Sequence, residues 1–149
     1  MKLYIDGDAC PVKDETIRVA ERHQLPVILV SNRWHRIDHY LVSQQVVSPD
    51  PDAADHVIAG QVECGDVVIT GDIPLAARCL EKGAFPIDSR GRLFTTDSIG
   101  MQLAMRNLMQ DLRDRGEVSG GPSAYGRQDR SRFLDGLERQ IQSAKRGQR

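Results

Sequence analysis

The chain reads as an α/β fold: a three-layer sandwich on a mainly parallel, roughly five-stranded sheet, with helices added at the C-terminal end. Three features predict it. Short apolar runs near residues 2–6, 27–30, 45–48, 67–70 and 84–88 alternate with segments of helical periodicity. The turns between them are short, which favours right-handed strand–helix–strand crossovers. The runs at 27–30 and 67–70 are almost wholly apolar, the pattern of parallel strands covered on both faces.

The elements follow in order. The first strand ends in Asp6-Gly7-Asp8, and Pro11 suits the first position of a helix that runs to His23. Val12, Thr16, Val19 and His23 recur there at helical spacing. After the second strand, residues 31–36 form a polar, partly basic loop or short helix. It belongs on the same edge as Asp6, because parallel strands all end on one side. Residues 45–48 are predicted as a third, short strand. Asp50 is the expected cap of the next helix, with Pro51 at its first position. On that helix Ala54, Val57, Ile58 and Gln61 share the apolar side, Ala59 lies opposite, and Asp55 sits at the border. Gly71-Asp72 ends the fourth strand, and the helix after it stops at Gly83. Pro86 marks the fifth strand as an edge. Residues 89–96 form a loop or short extra strand. The stretch 98–115 is a helix whose buried stripe is expected to be Met101, Ala104, Met105, Leu108 and Leu112. A mobile loop is expected over 116–128. It leads to an amphipathic helix over 129–144 with Phe133, Leu134, Leu137 and Ile141 inward, and a frayed end from Ala144 on.

One domain spanning 1–149 suits this length. Apolar residues make up 40% and aromatic residues 5%, so the core must be aliphatic. No stretch is long and apolar enough to span a bilayer, and the N-terminus lacks a secretory layout. Cys10, Cys64 and Cys79 contain no Cys-x-x-Cys pair, which points to neither a disulfide framework nor a zinc knuckle. A reduced, cytoplasmic protein without a membrane partner is expected. The net charge of −1 conceals an asymmetry: −5 over residues 1–112 and +4 over 113–149. An acidic body with a basic tail suits a metal site beside a surface for phosphates, and a solvated tail is the plainer reading of the same charge.

Acids gather at one edge. Asp6, Asp72 and Asp88 end strands one, four and five, Asp8 follows the first strand, and Asp55 comes from the helix before the fourth. Taken singly, Asp72 reads as a helix cap, Asp8 as a turn residue and Asp88 as a loop cap. Asp6 has no such role. Together they raise each other's cost of ionisation, and a hard cation such as Mg²⁺ or Mn²⁺ relieves it. Asp6, Asp55, Asp72 and Asp88 are the candidate ligands, with Asp8 as a further ligand or the residue that orients water. Such ions serve phosphodiester hydrolysis.

The segments Asp6–Val12, Asp52–Asp55, Thr70–Ala76 and Asp129–Phe133 resemble the YaiI/YqxD family of bacterial proteins over nearly the whole chain. That family has no established activity and is similar to the PIN-like nucleases. The resemblance implies acids at the carboxyl edge of a parallel sheet that bind Mg²⁺ or Mn²⁺, here Asp6, Asp55 and Asp72, with Thr70 beside them. It departs from the family at His56, where a second polar or acidic residue is frequent.

Three readings follow. The first is a metal-dependent nuclease or phosphodiesterase acting on RNA, with Asp6, Asp8, Asp55 and Asp72 in the catalytic site. Asn32, Arg33, Arg130 and Arg132 would meet phosphates. The second takes Asp6-Gly7-Asp8 as the D-x-D of a haloacid-dehalogenase-like phosphohydrolase, with Asp6 as nucleophile and Asp8 as acid/base. That motif set needs a second acid after Asp72, and residues 73–80 have none. The third is a non-catalytic nucleic-acid or nucleotide-binding module.

Overall fold

The computed structural model of the protein describes residues 1–8, 10–117 and 124–147. Five strands form one sheet: β1 (Leu3–Asp6), β2 (Val27–Ser31), β3 (Val42–Val46), β4 (Val67–Ile69) and β5 (Phe85–Ile87). All pairings are parallel and the order is β3-β2-β1-β4-β5, so β1 is the central strand, flanked by β2 and β4. Helices α1 (Lys13–His23), α2 (Ala53–Gln61), α3 (Ile73–Glu81), α4 (Ile99–Asp114) and α5 (Arg127–Gly147) complete the described chain. The α/β three-layer arrangement is the one the apolar runs predict. No helix among the described residues is long and apolar enough to cross a membrane.

The two-residue period of the strands sorts their side chains between two cores. Leu3, Ile5, Val27, Leu29, Val67 and Ile69 point to the side covered by α1 and α5. Tyr4, Ile28, Val30 and Val68 point to the side covered by α2 and α3. Asp6 is two residues beyond Tyr4 and continues its face. The acid that ends β1 is therefore aimed toward the helices that carry Asp55 and Asp72.

Several boundaries differ from the sequence reading. Val12 caps α1, so Pro11 lies before the helix, not at its first position. The third strand starts three residues earlier than expected, because its register is set by pairing with β2. Asp52 takes the cap position of α2, while Asp50 supplies only a backbone carbonyl to Ala53 N–H. Ala59 is buried with Ala54 and Ile58, so the covered side of α2 lies closer to Asp55 than the wheel places it. Asp72 caps α3, and Gly83 ends that helix with φ 81°. In the 89–96 segment only Leu93 pairs, by a single antiparallel bridge to Ile87.

The largest departure is α4. None of its residues is buried, and Met101, Met105 and Leu108 are 78%, 54% and 51% exposed. It packs on α3 rather than on the sheet, whose two faces are already covered. Helix α5 does what was expected of it with three changes, the first being its start at Arg127 instead of Asp129. Leu134 is exposed, and the helix continues through Gly147 with Ala144 fully buried. Of the loop expected over 116–128, residues 118–123 lie outside the described residues, and 127–128 already belong to α5.

Candidate functional site

The site begins with backbone geometry at the end of β1. Gly7 N–H donates to the Val30 carbonyl at 2.8 Å, and a Cβ at Gly7 would run into the Leu29 side chain. The chain hugs β2 at that point, and only glycine lets Asp6 and Asp8 leave the strand end on either side of it. Asp8 is exposed and its Oδ1 accepts Asn32 N–H at 3.0 Å, which ties the β1 and β2 loops together.

Thr70, directly after β4, links the two central acids. Its hydroxyl donates to Asp6 Oδ2 at 2.9 Å and accepts Asp72 N–H at 3.0 Å. Asp72 Oδ1 accepts Leu75 N–H at 2.9 Å, capping α3. These bonds fix the carboxylates before any ligand arrives. Asp6, Asp8, Thr70 and Asp72 line one cleft of about 350 Å³, together with Cys10, Pro11 and Ser89.

Asp55 lies in an adjoining hollow of about 180 Å³, with Asp72 as the common wall and Arg78 and Arg106 opposite. Its carboxyl is pushed up to about 7, by burial first and then by the hydrogen bond to Asp72 and the charges of Asp72, Asp6 and Asp52. Asp6 is also raised. Burial is the main cause, and the Asp72 and Asp8 charges add to it against the Thr70 hydrogen bond. Burial and neighbouring acids thus penalise the ionisation of Asp6 and Asp55 across two adjoining hollows. Among the described residues, no three acids, histidines or cysteines converge into a ready-made metal cage. Magnesium-type ions do not require one, since they bind through one or two carboxylates and complete their shell with water and substrate phosphate. The oxygen-only donor set and the open cleft fit such an ion. Cys10 is no competitor as a nucleophile, because burial holds its thiol above the usual range.

The remaining candidates are dispersed. Asp88 Oδ1 accepts the N–H groups of Arg90 and Arg92 at 2.9 and 2.8 Å, and Arg92 Nε is 3.7 Å from Oδ2. It organises its own loop and does not line the cleft. Asn32 reaches the site through its backbone, and exposed Arg33 follows it. Arg130 donates to Glu15 Oε2 at 3.0 Å, joining α5 to α1. Arg132 lines a separate cleft with Arg90, Arg92 and Arg139. Trp34, in the same loop as Asn32 and Arg33, is 69% exposed. The sequence reading missed Ser89, Arg78 and Arg106 as neighbours of the acids. Only Ser89 carried a usable signal, its place directly after the fifth strand on the edge that holds Asp6.

Comparison with known proteins agrees on one family. Residues 4–143 match the model described as "Uncharacterized BCR, YaiI/YqxD family". A UPF0178 protein of Rhodospirillum rubrum is 54% identical over 149 residues, covering 99% of each chain. One from Parvibaculum lavamentivorans is 56% identical over 146 residues, covering 97% of this chain and 96% of that one. A Rhodopseudomonas palustris UPF0178 protein is 52% identical over 141 residues, covering 94% and 89%. No solved structure matches. With the family match spanning nearly every described element from β1 to α5, the chain belongs to the YaiI/YqxD family, whose curated relatives carry the name UPF0178.

Proposed function

We propose that the protein is a Mg²⁺- or Mn²⁺-dependent phosphodiesterase acting on nucleic acid, with RNA as the first substrate to test. The observation that carries this reading is the convergence of Asp6, Asp55 and Asp72 on two adjoining hollows, with Asp72 lining both. The Asp55 carboxyl is pushed up to about 7 by burial first and then by its hydrogen bond to Asp72 and the charges of Asp72, Asp6 and Asp52, a pattern found at functional sites. Asp6 and Asp72 would hold the ion, with Asp8 at the mouth and Asp55 behind Asp72. The bound ion would supply charge neutralisation at a phosphoryl oxygen and activation of water. The protein's own part is positioning. Thr70 holds Asp6 and Asp72 in fixed orientation, and the Asp8–Asn32 contact keeps the mouth of the cleft in place.

The test is cleavage of a mixed single-stranded RNA pool in Mn²⁺, wild type beside Asp6→Asn. The substitution keeps the shape and the Thr70 partner but removes the charge. Cleavage is expected to fall by at least about a hundredfold, the scale on which one preorganised electrostatic group matters. Equal product patterns from both proteins would refute the reading.

A further inference from the structure

The second cleft is larger than the acidic one, at about 540 Å³, and has the opposite charge. Its walls are the loop after β5, with Arg90 and Arg92, and one side of α5, with Arg132 and Arg139. Asp129 and Asp135 are the carboxylates on the same lining, which leaves two guanidinium charges in excess. Asp129 is engaged, because its Oδ2 caps the start of α5 at Gly126 N–H and pairs with Arg90 at 3.2 Å. Arg92 has Asp88 behind it. Among the described residues, Arg132 and Arg139 have no carboxylate within ion-pair distance.

The cleft is built rather than incidental. Gly91 has φ 89°, and a Cβ there would collide with the Arg132 carbonyl. A Cβ at Gly136 would come within 2.9 Å of the Gly91 carbonyl. Two glycines let the loop lie directly on the helix, so arginines from both elements face one space. Tyr125 fastens the same loop, donating from its hydroxyl to the Ser89 carbonyl at 2.8 Å. Consecutive residues connect the clefts: Ser89 lines the acidic one and Arg90 lines the basic one.

We propose that the cleft between the 89–93 loop and α5 binds a phosphate group of a single-stranded nucleic acid, one that neighbours the linkage held at Asp6 and Asp72. This rests on the phosphodiesterase reading for the identity of the acidic cleft. All the cations are arginines, whose planar forks match phosphate oxygens in pairs. A ligand that reaches from an arginine cleft into a row of cation-relieved carboxylates carries phosphates at regular intervals. A flexible single strand can place successive phosphates in two concave spaces joined by the consecutive residues Ser89 and Arg90.

Binding of a fluorescein-labelled oligouridylate, measured by anisotropy in EDTA over a range of salt, tests the cleft without catalysis. Arg132→Gln/Arg139→Gln should weaken binding about tenfold or more at low salt. The log–log salt slope should fall by about 0.7, the value for one lost phosphate contact on a single strand. Arg127→Gln/Arg146→Gln removes the same charge from the same helix outside the cleft and should stay within about twofold of wild type. Unchanged binding in the first variant, or equal loss in both, overturns the proposal. Hydrolysis of bis(p-nitrophenyl) phosphate in Mn²⁺ reads the acidic cleft alone and should be the same in Arg127→Gln/Arg146→Gln as in wild type. If wild type hydrolyses neither this ester nor RNA, the catalytic reading fails, and the anisotropy result still decides the cleft.

Discussion

Helices α4 and α5 both carry an apolar stripe at helical spacing, yet they use it in opposite ways. Phe133, Leu137, Ile141 and Ala144 of α5 are fully buried, and Gln140 beside them donates to the Pro86 carbonyl at 2.7 Å. Met101, Met105 and Leu108 of α4 are at least half exposed. The difference lies in what each helix meets. Helix α5 lies beside α1 over the Leu3, Ile5 and Ile69 face of the sheet, where it completes a core. Helix α4 packs against α3 instead of the sheet. A periodic stripe reports that a helix has two faces, and the number of uncovered sheet faces decides which helix is buried.

The comparison breaks most easily at Phe133. It is among the largest fully buried side chains, and its removal leaves a cavity between α5 and the sheet. Phe133→Ala should cost about 3–5 kcal/mol in urea unfolding. A loss below about 1 kcal/mol would make α5 as peripheral as α4, and the arginine cleft would then lose its rigid wall.

What the sequence showed follows the same division. The five strands, their parallel sense and the edge position of Pro86 were legible, because continuous apolar runs and proline chemistry are local signals. The meeting of Asp6 with Asp72 was legible as well, since parallel strands share a carboxyl edge. The separation of Asp55 into its own hollow was not. It depends on how α2 sits beside α3, a matter of packing that no helical wheel contains. Asp88 misled for a related reason. It ends a strand on the right edge, but two N–H groups of its own loop occupy it. The arginine cleft was hidden because its two walls are about forty residues apart in the chain and meet only through Gly91 and Gly136.

A smaller effect comes from the clamp between α5 and α1. Burial pushes the Glu138 carboxyl up, but Gln142, His23 and Arg22 outweigh it and hold the group at about 2, against an ordinary 4.5. Arg22 donates to Glu138 Oε1, and His23 Nε2 lies 2.9 Å from the same oxygen. Lys145 Nζ is 3.0 Å from His23 Nδ1 and can only donate, so Nδ1 accepts and Nε2 carries the proton given to Glu138. A carboxyl with a lower pKa folded than unfolded binds more protons when unfolded. Its contribution is therefore complete above pH 4.5 and is lost as the pH falls toward 2. The side chain is a third exposed, which limits the effect to about 1 kcal/mol. Urea midpoints of wild type and Glu138→Gln should differ at neutral pH and converge on acidification. Parallel pH profiles would show that the clamp does not hold α5.

The smallest effect is expected on α4, where it is most informative. Met101 is the most exposed large apolar side chain of the protein's described part, so truncating it removes little buried surface. Alanine is also a slightly better helix former than methionine. Met101→Ala should therefore change stability by no more than about 0.5 kcal/mol. The measurement has to be made at several protein concentrations. If the stripe is open in solution, the melting temperatures of wild type and variant stay level across the series. If wild type instead gains stability with concentration and Met101→Ala does not, another copy covers the stripe, because binding to the native state alone stabilises it by mass action. In that case α4 and α5 would obey one rule after all. Each would bury its stripe, α5 within its own chain and α4 only upon association.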